Sequence, residues 1–317
     1  MRILVTGASG CIGHYISESL IQQTDHELFL MVRNPAKLNL DVTARPGITV
    51  IQGDMLNLEP LADLLPTLNI AILTATMWGG PEIFQVNVTQ TLALMAALNP
   101  DVCQKVFYFS TASVLDRQLN PLAEAGTIGT DYIRSKYQCL HELESLPIAD
   151  RIVELFPTLV FGGGGDGKPT SHVTGGLGEA LKWLWLAKCF DVDGSFHIVH
   201  GRDIAQVITY LIQHPEVALG PRLVLGNPAL TVSQMLQEMC DFTGQRIYFQ
   251  LPLRLWLVNI LIRVFGLQMA AWDYFCLQYR HFSYDEVINP QSLGLSPYCG
   301  TLTDLLRMTQ SAGLASR

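Results

Sequence analysis

The feature that most constrains the fold of this chain is a glycine-rich turn, Thr6-Gly7-Ala8-Ser9-Gly10-Cys11-Ile12-Gly13, set directly behind the apolar run Ile3-Leu4-Val5. A helical stretch over 11–23 follows it. Glycines spaced three apart between a strand and a helix let the backbone close tightly and leave the helix N-terminus open to an anion. A turn of this kind can also be a plain tight loop, so its surroundings decide. Further apolar runs at 28–32, 49–52, 70–75 and 106–109 alternate with helix-like segments at 58–65 and 84–98. Short continuous apolar strands separated by helices predict a parallel sheet covered on both faces, and right-handed crossovers make it doubly wound.

The pattern continues through a helix at 132–146 and a strand at 152–155, then changes at the glycine cluster 162–167. Residues 175–188 are rich in Trp and Leu; 196–199, 204–213 and 222–225 are expected to return to the sheet. From 231 onward the chain turns helical and then irregular, with a dense apolar stretch at 256–265. The expected fold class is α/β, a doubly wound parallel Rossmann sheet with a smaller, mostly helical substrate lobe. Segments 1–165 and 196–228 form the dinucleotide-binding domain in this scheme, and 166–195 and 229–317 the substrate-binding lobe. No internal repeat or low-complexity tract interrupts it.

With 49% hydrophobic and 15% charged residues the chain is neither disordered nor fibrous. A net charge of −8 gives no reason to expect nucleic acid or an acidic membrane as the main partner. Seven cysteines, without a CxxC pair or a Cys/His cluster, predict reduced thiols in a cytoplasmic protein and no metal site. A first strand starting almost at Met1 leaves no room for a cleaved leader. No apolar run reaches the ~20 residues of a spanning helix. The nearest, 251–267, is broken by Arg254, Asn259 and Arg263. Core packing, a homodimer face and peripheral membrane contact all remain open for it.

At the end of the second strand an acidic residue would bind both ribose hydroxyls of NAD, whereas a basic one accommodates a 2′-phosphate. This chain has Arg33, with Lys37 four residues on, so NADP(H) is expected over NAD(H); a pair of solvated surface cations is the alternative. Asp54 follows the third strand, where its carboxylate can accept from an adenine amino group or cap the next turn.

Tyr132 and Lys136 stand four apart, on one face of a helix. A free phenol has a pKa near ~10; a nearby ammonium favours the phenolate and makes it a usable acid or base. Such a pair is common by chance, but the hydroxyl-rich strand end Ser110-Thr111-Ala112-Ser113 stands 21 residues before Tyr132.

Together these motifs resemble the extended short-chain dehydrogenases/reductases, the NAD(P)-dependent epimerase/dehydratase-like superfamily. The resemblance is carried, over about residues 1–230, by the 6–13 turn, Gly53-Asp54, Asn87-Val88-Thr89-Gln90-Thr91, Phe109 to Val114, Tyr132-xxx-Lys136 and Pro157 to Gly162. It implies an oxidoreductase with Tyr132 as proton donor or acceptor. Lys136 would hold the nicotinamide ribose, and Thr111 would hydrogen-bond the substrate oxygen. The cofactor wall would comprise Gly7, Ser9, Gly10, Cys11, Ile12, Gly13, Arg33, Lys37, Asp54, Met55, Ala75, Asn87, Lys136, Pro157 and Val160. Asp203 would anchor the two lobes.

Three positions depart from the family pattern. Phe156 stands where many members have arginine, and Leu115-Asp116 replaces Tyr-Gly. Ala112-Ser113 replaces the acidic pair of sugar-nucleotide dehydratases, so dehydration is not expected. The family's behaviour ties net reduction to NADPH and epimerisation to a retained NAD. The expected function is therefore NADP(H)-dependent carbonyl reduction of a small, largely apolar substrate. A nucleotide-sugar epimerase and a non-catalytic NADP-sensing regulator are the alternatives. The apolar substrate is suggested by Trp183, Trp185, Trp256, Phe265, Trp272, Tyr274 and Phe275. His172 and His200, near the lobe junctions, are expected to make structural hydrogen bonds.

Overall fold

The computed structural model describes residues 1–163, 167–217, 219–256, 258–259 and 268–311. The chain opens with β1 (Arg2–Thr6), α1 (Cys11–Gln23), β2 (Glu27–Val32), β3 (Ile48–Gln52) and β4 (Ile70–Leu73). A π-helical turn (Gln85–Gln90) runs on into α2 (Thr91–Ala96). Then come β5 (Lys105–Phe109), α3 (Ala123–Thr127), α4 (Asp131–Glu142), β6 (Ile152–Pro157) and β7 (Leu159–Phe161). The distal segment contributes α5 (His172–Lys182), α6 (Leu184–Ala187), β8 (Phe190–Asp191), β9 (Ser195–Phe196) and β10 (Ile198–His200). After α7 (Gly201–Gln213) and β11 (Arg222–Leu225) come β12 (Leu230–Thr231), α8 (Val232–Thr243) and β13 (Leu251–Pro252). Among the later elements are the helices Ala271–Tyr279 and Leu302–Ser311 and the strand His281–Phe282.

Seven parallel strands form the main sheet, in the order β11-β6-β5-β4-β1-β2-β3. Alternation divides each strand between the two faces. Ile3 and Val5 pack on one side with Phe107 and Phe109, whereas Leu4 packs on the other with Val106 and Tyr108. Both faces being buried, the strands read as unbroken apolar runs. The winding reverses between β1 and β4, so the C-terminal edge of the sheet opens there into a crevice. A third apolar cluster joins Leu177, Leu184, Leu236, Met239, Leu302 and Leu306, knitting α5, α6 and α8 to the helix Leu302–Ser311.

The structure differs from the sequence expectation in two places. Residues 58–65 give no α-helix but two 3-10 turns, Glu59–Leu61 and Leu65–Thr67. Pro66 has no N–H for the carbonyl four residues back and its ring would clash there, so no α-helix can run on through it, whereas Pro60 sits in the first turn of its own segment, where no donor is needed. The run 196–199 does not rejoin the main sheet. Its residues split around His197 into β9, paired with β12 and the strand His281–Phe282, and β10, paired with β7. The edge position beside β6 is taken by β11.

Asp203, in the first turn of α7, is buried and accepts from the Tyr298 and Cys299 N–H groups at 2.6 and 3.1 Å. Burial pushes its carboxyl up to about 6. It fastens the segment leading into Leu302–Ser311 onto the sheet domain.

Candidate active site

A cleft of about 1110 Å³ follows the C-terminal ends of β1 to β6. Its walls hold Gly7, Ser9, Gly10, Cys11, Ile12, Gly13, Arg33, Lys37, Asp54, Met55 and Ala75, together with Thr111, Tyr132, Lys136, Pro157 and Val160. Every predicted site residue except Asn87 is thus brought to one crevice.

The glycine end is built from backbone. Gly7 takes φ 68°, and a Cβ there would stand 2.8 Å from the Ala75 nitrogen. A Cβ on Gly13 would approach the Gly7 carbonyl oxygen to 2.3 Å. Either position excludes a side chain, which is why the strand can turn straight into α1. No side chain caps the N-terminus of α1, so its first N–H groups point at the cleft. This cradle fits a pyrophosphate. Asn34 caps the 3-10 turn Pro35–Lys37 by accepting from Ala36 N at 3.0 Å, which brings Lys37 onto the cleft wall with Arg33. Asp54 caps its own turn by accepting from Leu56 N at 3.0 Å, while keeping its place on the wall.

At the other end α4 starts from the Thr130 cap, and its helical spacing sets Tyr132 and Lys136 on one face. Lys136 is buried; its Nζ donates to the Phe109 carbonyl at 2.8 Å and lies 5.2 Å from the centre of the Tyr108 ring. Burial lowers its ammonium to about 8. The Tyr132 phenol moves the opposite way. Burial pushes it well above its ordinary value, with partial relief from its hydrogen bond to Thr111. Burial and the Thr111 hydrogen bond set this shift, and Lys136 does not contribute to it. The ammonium is engaged by a backbone carbonyl, and desolvation decides.

Asn87 corrects another expectation. Its side chain is fully buried behind the wall. Oδ1 accepts from Met77 N at 2.8 Å, while Nδ2 donates to Met77 O at 2.8 Å and to Ser135 Oγ at 3.0 Å. Ser135 in turn donates to Tyr132 O at 2.8 Å. Asn87 ties α4 to the loop after β4 and does not line the cleft.

That loop holds a residue the sequence reading missed. Trp78 stacks on Tyr132, with ring centres 4.2 Å apart and 20° between planes, and meets His172 edge-on at 4.7 Å. Its available signal was position: it lies just beyond β4, on the sheet edge where ligands bind, ahead of Gly79-Gly80. Met77, Phe196, Trp272, Cys276, Phe282 and Tyr284 line the same end. Of the apolar side chains offered for the substrate, Trp272 lines the cleft, whereas Trp183, Trp185 and Trp256 are solvent-exposed. Phe265 lies outside the described residues. His197 is fixed neutral between partners: Nδ1 donates to Asn227 O at 2.7 Å and Nε2 accepts from Tyr284 N at 2.9 Å. His200 caps α7 by accepting from Arg202 N. Phe156 is buried in the core, so the arginine of relatives has no polar substitute at that position.

Residues 3–226 match the profile of the NAD dependent epimerase/dehydratase family. The chain belongs to that family. No curated protein sequence matches it. Solved structures with the same fold include gox2253, at 20% identity and TM-score 0.70, with 99% of each chain covered. Another is the dTDP-glucose 4,6-dehydratase of Bacillus anthracis in complex with NAD, at 13% identity and TM-score 0.65, covering 99% of this chain and 96% of that one. A third is the UDP-N-acetylglucosamine 4-epimerase of Methanobrevibacter ruminantium M1, at 18% and 0.65, covering 99% and 97%. No helix among the described residues is long and apolar enough to cross a membrane.

Proposed function

We propose that this family member is an NADP(H)-dependent oxidoreductase that reduces a carbonyl of a small, largely apolar substrate. The observation that carries this reading is the unequal distribution of charge along the cleft. Among its described lining residues the arginines and lysines are Arg33, Lys37 and Lys136. The first two suit a 2′-phosphate at the adenosine end. Lys136 would hold the nicotinamide ribose. The substrate end is aromatic and apolar, without the cations that a nucleotide-sugar diphosphate calls for. In this reading 166–195 and 229–317 act as the substrate lobe, supplying His172, Trp272, Phe282 and Tyr284 to the wall.

The bound cofactor supplies the hydride. Tyr132 keeps its proton through neutral pH and delivers it to the carbonyl oxygen. Thr111, already paired with Tyr132, holds that oxygen in line. Trp78, stacked on Tyr132, and Trp272 wall the same end of the cleft.

A second reading, nucleotide-sugar epimerisation, is favoured by the structural relatives, one of which is named a UDP-sugar 4-epimerase. The same tyrosine and lysine would serve it. NADPH consumption across aliphatic and aryl ketones, aldehydes and UDP-sugars separates the two. Consumption with ketones or aldehydes is expected; interconversion of sugar epimers without net consumption would overturn reduction.

A further inference from the structure

The chain changes partners at His197. β9 and the strand His281–Phe282 run side by side, Ser195 opposite His281 and Phe196 opposite Phe282. One residue on, the His197 carbonyl turns to Leu159 N on β7, 3.2 Å away, and that ladder ends. The buried Tyr284 N–H takes the His197 imidazole instead, donating to Nε2 at 2.9 Å. An acceptor at Nε2 leaves the ring proton on Nδ1, which donates to the Asn227 carbonyl at 2.7 Å. Asn227 is itself fixed: its Nδ2 donates to the Cys299 carbonyl at 2.9 Å, and its Oδ1 accepts from Asn289 Nδ2 at 3.3 Å. The rings of His197 and Tyr284 stack, with centres 5.7 Å apart. Tyr284 is therefore held both at its backbone and at its ring.

Its hydroxyl reaches the active-site strand. Burial, with Tyr279 and Asp116 nearby, raises the phenol above its ordinary value, so it stays a donor. It donates to the Ala112 carbonyl at 2.5 Å, across 172 positions of sequence. That carbonyl also accepts from Leu115 N at 3.0 Å, closing the 3-10 turn Ala112–Val114. Thr111 caps this turn by accepting from Ser113 N at 3.4 Å, and its hydroxyl pairs with Tyr132. Tyr284 and His197 also line the substrate end of the cleft. We propose that Tyr284 is a positioning residue: seated on His197, it fixes the 111–115 turn and with it the place of the Thr111 hydroxyl beside Tyr132. This rests on the carbonyl-reduction reading, in which Thr111 holds the substrate oxygen. A misplacement of about 1 Å at a reacting centre costs up to ~10²-fold in rate, so a single clamp on this turn is felt in turnover.

The test is a double-mutant cycle of Tyr284→Phe with Thr111→Ala, read together with hydrogen–deuterium exchange of the peptide covering 110–122. Tyr284→Phe keeps the ring and leaves the Ala112 carbonyl its bond from Leu115, so the thermal midpoint and NADPH affinity should hold. Its kcat should fall about tenfold with KM nearly constant, and the peptide should exchange faster than in the wild type. In the Thr111→Ala background the same substitution should change kcat by less than about twofold, because the group it positions is gone. An equal loss in both backgrounds would make Tyr284 a structural residue only and overturn the proposal. So would an unchanged kcat in Tyr284→Phe. If the wild type turns over no ketone, aldehyde or UDP-sugar, the reduction reading fails. Exchange then judges the clamp by itself: faster exchange in Tyr284→Phe supports it, and unchanged exchange overturns it.

Discussion

At the cofactor end of the cleft the wall is largely backbone: Gly7 at φ 68°, Gly13 packed against the Gly7 carbonyl, and the uncapped start of α1. At the substrate end it is side chains held by loops: Trp78 on Tyr132, His172 on Trp78, Tyr284 donating to the Ala112 carbonyl. In the proposed reading the first end would recognise a shape common to all dinucleotides, with Arg33 and Lys37 adding charge for a 2′-phosphate. The second sets what is transformed, through surfaces that a loop can change without touching the sheet. Conserving the first while varying the second is how one fold serves many reactions.

Four substitutions or conditions would break that division if it is wrong. Tyr132→Phe removes the proton while leaving the cradle intact. Turnover should fall by ~10²–10⁴-fold with NADPH affinity unchanged, a pairing that steady-state kinetics and a binding titration check. Gly13→Ala acts on the opposite end. Its Cβ has no room beside Gly7, so a destabilisation of about 1–3 kcal/mol is expected together with lost NADPH binding, measured by thermal unfolding and the same titration. Trp78→Ala should raise KM about tenfold at unchanged cofactor affinity, since a stacked aromatic pair contributes roughly 0.5–1.5 kcal/mol beyond its buried area.

The smallest effect is in pH. Lys136 is lowered to about 8, so its ammonium is whole below that value and lost as pH rises through it. Activity should therefore fall on the alkaline side of pH 8, whereas Tyr132, pushed upward, retains its proton across the same range. A flat profile through that window would remove the Lys136 charge from the reaction.

The same contrast explains how much of the molecule is legible in its sequence. Glycines forced by a positive φ or a close approach leave no alternative residue, and strands buried on both faces leave continuous apolar runs; turn and sheet are readable for those reasons. Helical spacing alone likewise makes neighbours of Tyr132 and Lys136. Asn87 reads as a cofactor residue because its position says nothing of which way the side chain faces; the loop carrying Met77 claims it. The upward shift of Tyr132 leaves no mark in the sequence because it depends on burial, which the Thr111 hydrogen bond only partly offsets. Residues 196–199 announce a strand but not its partner, which the path of β11 decides. Trp78 carries no motif of its own, because a loop's route after β4 is a tertiary property.

The division of the cleft is tested most directly by titrating the NADP-loaded protein with an aryl ketone and, separately, with UDP-glucose, following the fluorescence of Trp78 against a Trp78→Phe control. The account predicts saturable quenching by the ketone and none by UDP-glucose. Tighter binding of UDP-glucose than of any ketone would contradict it.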